Sequence, residues 1–323
     1  MFMLPSLPSE KAEHHELADF AELLAWQKGS ASAREIIAYL GRLDDNQDNV
    51  GCDDDEDDTT NELDGVMNEL GRRSNACGKG YPFKLELAGS VLRHDPGVSE
   101  ARGEVYRYLL LATRLNMKRH SRHASLDGTH LLEELAAHVL RCYLGRTRAR
   151  SVVFGTSVKG GFAKKVDLLC KDLGEGGQFK NPDTSAVDEN DGGLDTVSWV
   201  PFSDHSRGKL IVFGQCKTGT TWREHTNKLR PETFTRLWMS DAPLFTPLRA
   251  FCIAEAANQG HWCKYSISAG LFFDRCRLVD FCEELPSEIL GKIQNWTQAA
   301  LATVQITRQA RKPIRTRKNK NVR

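Results

Sequence analysis

The stretch GGLDTVSWVPFSDHSRGKLIVFGQCKTG, residues 192–219, decides how this chain is read. Two runs rich in β-branched and aromatic residues, LDTVSWV and GKLIVFGQCK, flank the turn-rich centre PFSDHSRG, a pattern that predicts an antiparallel hairpin. With the loop symmetric about His205, Val197 faces Phe213, Trp199 faces Ile211 and Asp195 faces Gln215. Side chains alternate along a strand, so Lys217 shares the face of Gln215 while Cys216 points the other way. One face therefore runs Trp, Val, Ile, Phe and then changes abruptly to Asp, Gln and Lys. Opposed side chains have Cβ atoms roughly 4.5–5.5 Å apart, close enough for two of them to reach one hard cation.

Magnesium takes oxygen ligands from carboxylates, carbonyls and water. Asp195 offers a charged oxygen, Gln215 an amide oxygen and Cys216 its backbone carbonyl. A divalent cation renders water acidic enough to attack phosphorus, and Lys217 is placed to orient that water or stabilise the oxyanion. An acid opening one strand, followed by Gln-x-Lys on the next, resembles the PD-(D/E)XK nuclease superfamily, and the Gln form resembles type IV methyl-directed restriction enzymes. A fuller likeness is to uncharacterised bacterial proteins with a GLD…PF…GKL…FGQCKTG…W segment. The resemblance spans Gly128 to Lys217. It departs from the family pattern where Leu194 stands in place of proline and Gln215 in place of an acid.

The resemblance also implies a glutamate from a preceding helix, and Leu132-Glu133-Glu134-Leu135 matches loosely. At about 100° per residue, Glu133 falls between Leu140 and Leu144 on the apolar arc, while Glu134 falls with His138 and Arg141 on the wet side. A carboxylate on a buried face needs a compensating partner, which selects Glu133. The implied catalytic set is Glu133, Asp195, Gln215 and Lys217. The implied metal ligands are Glu133, Asp195, Gln215 and the Cys216 carbonyl. The cofactor expected is Mg²⁺, with Mn²⁺ as a substitute.

Outward from this segment, the order helix (HLLEELAAHVLRCYLG), strand (SVVFGTS), helix (FAKKVDLLCKDLGE), strand, strand indicates an α/β fold. The resemblance specifies it as a restriction-endonuclease-like mixed central sheet flanked by helices. ETFTRLWM reads as helix, LRAFCIAEA and SAGLFFDRCRLV as strand-like runs, and SEILGKIQNWTQAALATVQ as a last helix. Residues 1–124 read as a mainly helical module. It holds the helix DFAELLAWQK and a second capped by Ser30 or, better, by Ser32 with Glu35. NELDGVMNELGRR is a third helix, YPFKLELAGSVL a strand or hairpin, and ARGEVYRYLLLATRLN a buried helix. Six consecutive acids, Asp53 to Asp58, are expected as a solvated loop. KRHSRHASLDG, basic and short, is expected to mark the seam with a nuclease domain at 125–306, and residues 307–323 are expected to be a basic, disordered tail.

Of 323 residues, 40% are hydrophobic and 27% charged, with a net charge of +1. The near balance hides a split: residues 1–124 hold 15 Lys and Arg against 22 Asp and Glu, and residues 125–323 hold 29 against 21. The second part suits a polyanion such as DNA. No run approaches the roughly 18 apolar residues of a membrane span, and no secretion signal is visible, so a cytosolic protein without membrane contact is expected. Nine cysteines without Cys-x-x-Cys spacing read as reduced, buried thiols.

These features predict a Mg²⁺-dependent DNA endonuclease, with restriction or antiphage defence implied by the resemblance alone. Residues 1–124 would bind a defence partner, form a homodimer or regulate cleavage. A non-catalytic nucleic-acid-binding or assembly subunit and an RNA-cleaving toxin are the competing readings. Lys209, Trp222 and Arg223 are candidate nucleic-acid contacts, with Trp222 equally suited to capping the core. Asp204 and His205 read as turn residues, and Asp167 and Asp172 as surface acids paired with Lys164, Lys165 and Lys171.

Overall fold

A computed structural model of the chain describes residues 2–9, 11–39, 54–98, 101–155, 161–183 and 192–304. The first helix, α1 (His14–Lys28), is buried at every position from His15 to Ala25, Asp19 and Glu22 included. After β1 (Ser30–Ser32), Ser32 caps α2 (Ala33–Tyr39), its Oγ accepting the Glu35 N–H at 3.1 Å as the Ser-x-x-Glu spacing predicts.

The acidic run from Asp54 to Asp58 is not a loop but opens α3 (Asp54–Cys77), while Asp53 lies outside the described residues. Acids that cannot pack in a core still suit the first turns of a helix, where unpaired N–H groups and the macrodipole favour negative charge. Then β2 (Phe83–Glu86) and β3 (Val91–His94) make the expected hairpin, and β1, unforeseen, pairs with β3 to complete a three-stranded sheet. α4 (Ala101–Arg114) is the expected buried helix.

The basic seam is itself ordered, with β4 (Arg122–His123) and β5 (Leu126–Asp127) turning through Ala124 and Ser125 at φ 49° and 61°. α5 (Gly128–Tyr143) starts where the Asp127 carboxylate accepts the Thr129 N–H.

Beyond it come β6 (Arg150–Val153), α6 (Phe162–Leu173), β7 (Thr196–Val200), β8 (Leu210–Lys217), α7 (Pro231–Trp238) and β9 (Leu248–Ile253). They are followed by α8 (Trp262–Ala269), β10 (Leu271–Phe273), α9 (Arg275–Asp280) and α10 (Ser287–Thr303). The run SAGLFFDRCRLV divides into a short strand and a helix because the Asp274 carboxylate caps α9 through the Arg277 N–H. The sheet is mixed, in the order β10-β9-β8-β7-β6, with β6, β7 and β8 antiparallel and β8, β9 and β10 parallel.

Alternation sorts the sheet's two faces. Val197, Trp199, Ile211 and Phe213 cluster with Val166 and Leu169 of α6 and Phe234 of α7. On the other face, Val212 and Cys216 belong to the same cluster as Leu132, Leu135, Ala136, Val139 and Leu140 of α5.

That second cluster runs from Phe2 to Ala300, so residues on both sides of the seam share one core. A buried ion cluster reinforces it. Asp19 meets Arg73 at 2.7 Å, Arg275 at 2.8 Å and Arg114 at 2.6 Å, and Glu22 accepts from Tyr81 and Tyr106 at 2.8 and 2.7 Å. Burial alone would raise the Asp19 carboxyl, but Arg275, Arg114 and Arg73 hold it well below the usual carboxylate range.

A folded-state pKa below the unfolded one, about 4, gives stability that is complete above that value and lost as pH falls through the folded one. Urea denaturation is therefore expected to show this contribution intact from pH 7 to 5 and declining below about pH 4. Asp19→Asn should lower stability at pH 7 by about 3–5 kcal/mol, because it leaves buried guanidinium charge uncompensated. A variant as stable as the wild type would remove the cluster's structural role.

Candidate functional site

Because β7 runs against β6 and β8, the end of β6, the start of β7 and the end of β8 lie at one edge of the sheet. The observed register pairs Val197 with Phe213 and Trp199 with Ile211, as the loop symmetry predicts, and the ladder's last pair is Thr196 with Gly214. A Cβ on Gly214 would collide with Thr196 Oγ1, so glycine permits this close pairing.

One residue further, Asp195 fastens three strands. Its carbonyl accepts N–H groups from Phe154 and Gly155 at 2.7 and 3.0 Å, and its own N–H donates to Gly214 at 2.9 Å. Its carboxylate accepts the Cys216 N–H at 2.7 Å. The side chain thus takes over where the ladder stops, directed at β8, and is 7% exposed.

Gln215 follows Phe213 on its face of β8 and is fully buried. Its amide packs against the chain at Gly193, where a Cβ would lie 3.6 Å from Gln215 Nε2 and 3.5 Å from the Lys228 side chain. Gly193 has φ 79°, a conformation that favours glycine. Neither Gln215 amide atom has a hydrogen-bond partner among the described residues. An unsatisfied buried polar group costs about 1–3 kcal/mol, so a polar group or water bound beside this amide would be favoured.

Glu133 is buried on α5, whereas Glu134 faces Lys292 at 3.1 Å. The helical-arc argument thus separates the two glutamates as expected, but His138, expected on the wet side, is buried with Nε2 2.8 Å from the Glu283 carbonyl. The Glu133 carboxylate lies against Gly155, where a Cβ would sit 2.5–2.9 Å from its atoms. It therefore reaches the strand ends from the α5 face, and Gln215 reaches them from the other face. Lys217, half-buried at the end of β8, pairs in register with Ile253.

The structure adds Lys165. Assigned from sequence to surface ion pairs, it is instead 7% exposed and donates from Nζ to the Gly155 carbonyl at 2.9 Å. Asp167, its supposed partner, accepts the Phe179 N–H at 2.6 Å. A helical wheel of α6 would have placed Lys165 about 60° from Phe162, at the margin of the apolar arc.

The other candidate contacts lie elsewhere. Lys209 is buried at the opposite end of β8 and meets Glu175 at 3.8 Å. Trp222 is fully buried against Phe251, Tyr265 and Phe272, with Arg223 stacked on it at 4.6 Å and paired to Glu255 at 3.3 Å. Trp222 caps the core. Asp204 accepts the Ser206 N–H at 2.9 Å and His205 has φ 59°, both in the turn. A cavity of about 660 Å³ is lined by Lys11, His14, His15, Asn68 and Asn258 and by none of the candidate site residues, and its acids Glu13 and Glu69 are engaged by Asn258 and Arg72.

No group of three or more His, Cys, Asp or Glu side chains is placed to hold a metal among the described residues. Carboxylate and amide oxygens are the donor types that a hard cation takes, and near these strand ends they would come from Asp195, Glu133 and Gln215. No helix among the described residues is long and apolar enough to cross a membrane. Comparisons with protein-family models, with curated proteins and with solved structures give no match to this chain.

The adjoining Cys252 thiol, burial and the charges of Asp195 and Glu133 push the Cys216 thiol well above its ordinary pKa. A raised pKa means less thiolate at any given pH, which opposes a nucleophilic role. Alkylation of the native protein at pH 8 with iodoacetamide should modify exposed Cys263 and spare Cys216, read by peptide mass spectrometry. Rapid labelling of Cys216 would reverse that assignment.

Proposed function

We propose that the chain is a divalent-cation-dependent phosphodiesterase of the restriction-endonuclease-like type that cleaves DNA. The observation that carries this reading is the buried, unpartnered Gln215 amide at the strand edge that also presents Asp195 and Glu133. The strand order supports it, since α5, β6, β7 and β8 supply the helix glutamate, the acid and the Gln-x-Lys in the sequence order that the family resemblance implies.

Asp195 supplies a charged oxygen whose direction is fixed by the Cys216 N–H. Gln215 supplies a neutral oxygen, and Glu133 a second charge. Asp195, Gln215 and Glu133 would hold Mg²⁺ or Mn²⁺, which when bound would supply acidification of an attacking water and offset charge on the phosphate. Lys217 holds the water or the anionic phosphorus centre, and Lys165 adds positive charge beside Gly155. Restriction or antiphage defence is the setting that the family resemblance suggests.

A second reading, a binding or assembly subunit that does not cut, is favoured by the absence of a third acid from the described site. Cation titration separates the two.

Full-length protein with plasmid DNA, and separately with RNA, should cleave DNA only when Mg²⁺ or Mn²⁺ is added. Asp195→Asn and Lys217→Ala should each lower the rate at least about 100-fold with unchanged melting temperature. Calorimetry should show cation uptake that Asp195→Asn abolishes and Gln215→Glu strengthens. Equal cleavage by wild type and both variants ends the reading, and RNA as the preferred substrate redirects it to an RNA-cleaving toxin.

A further inference from the structure

The basic segment between α4 and α5 is built as a rigid, exposed platform. Lys118, Arg119, His120 and Arg122 are exposed. The Asn116 carbonyl accepts the N–H groups of Arg119 and His120 at 2.9 and 2.8 Å. From below, Trp296 donates to the Ser121 carbonyl at 2.7 Å, and its ring meets those of His123 and Tyr108 edge to face. The side chains that carry charge are thus free of the core while the backbone beneath them is pinned.

The one acid in residues 116–128 is Asp127. Its carboxylate is engaged by the Thr129 N–H and hydroxyl at 2.9 and 2.7 Å, and it meets Arg122 at 3.5 Å. Arg122 thus has an acid partner, while no ion pair involves Lys118 or Arg119 among the described residues.

Its position matters as much as its charge. Glu133 lies five residues beyond Gly128, about 8 Å along the axis of α5. Gly219, two residues past Lys217, donates to the Ala112 carbonyl in the last turn of α4 at 2.9 Å. Tyr108 donates to the Gly128 carbonyl at 2.6 Å. Burial raises the Tyr108 pKa well above its ordinary value. α4 thus joins the start of α5, through Tyr108, to the residues just past β8, through Ala112.

We propose that Lys118, Arg119 and Arg122 form a contact surface for the sugar–phosphate backbone of duplex DNA, delivering it to the adjoining strand ends. Exposed cations near a polyanion act by counterion release, a contribution independent of sequence and steeply dependent on salt. This surface deepens the nuclease reading in its choice of substrate, but its binding can be measured without catalysis.

The test is the affinity of the full chain for a fluorescein-labelled duplex of about 20 base pairs in EDTA, over a series of salt concentrations. The charge reversal K118E/R119E/R122E should weaken binding about 100-fold or more at about 0.1 M salt and make the salt slope shallower by about 3. R148E/R150E changes exposed arginines at the far end of β6 and should change affinity less than about 3-fold. Melting temperatures report whether each variant is folded.

Equal weakening by the two variants would reduce the effect to bulk charge and overturn the proposal. So would unaltered binding by K118E/R119E/R122E, or wild type that binds single-stranded RNA of equal length but not the duplex. Wild type that binds the duplex through these residues yet cuts nothing in Mg²⁺ or Mn²⁺ would support the surface and sink the nuclease reading alone.

Discussion

A carboxylate sealed from water at the centre of α1 sets the terms for much of this molecule. Asp19 is fully buried, and an isolated charge in such a place would cost several kcal/mol. Its compensation comes from Arg73 on α3, Arg114 on α4 and Arg275 at the start of α9. These three elements are far apart in sequence, so satisfying one acid fixes the N-terminal helices against the end of the sheet. Arg275 then reaches the Ala254 carbonyl at 3.1 Å, and the Ala254 N–H donates to the Lys217 carbonyl at 3.2 Å. A continuous chain of polar contacts therefore links the buried acid to the last residue of β8.

That linkage bears on the chemistry proposed for the strand ends. Catalysis by positioned charge depends on groups that need no rearrangement when the reaction begins. Asp195 has its carbonyl tied to β6 and its carboxylate tied to β8. Glu133 is held against Gly155, and Lys165 is held to the carbonyl of the same glycine. The N-terminal half supports this arrangement from behind, through Ala112 and Tyr108, without itself contributing a ligand to the proposed set.

The hairpin was legible in the sequence because two independent regularities agreed on it. Alternation fixed the faces of Trp199, Phe213 and Gln215, and the turn chemistry around His205 fixed the register. Glu133 was legible because a helical period leaves only one of two adjacent glutamates facing inward. Lys165 was equally periodic, but lysine near aspartate on a helix invites an ion-pair reading, and its long side chain permits either course. Trp222 and Lys209 depend on contacts with Glu255 and Glu175, more than 30 residues away, which no local period encodes. The start of α3 misled for another reason. Six acids in a row forbid a core, but they do not forbid a helix, whose first turn favours negative charge.

On the proposed family reading, Gln215 stands where an acid is usual, and the difference is best understood through what burial demands of each. An ionised glutamate at a fully buried position would require a cation or a guanidinium at all times. A glutamine there costs only its two hydrogen bonds, so the folded protein tolerates periods without a ligand. At the proposed site the neutral amide would lower the electrostatic pull on a divalent ion while making the unliganded state easier to sustain. Such a site would load its cation most readily when a polyanion already lies alongside, because the phosphate supplies the missing negative charge. On the proposed reading, coupling of cation uptake to nucleic-acid binding would follow from the identity of one side chain, since Asp195 and Glu133 alone would supply only two negative charges.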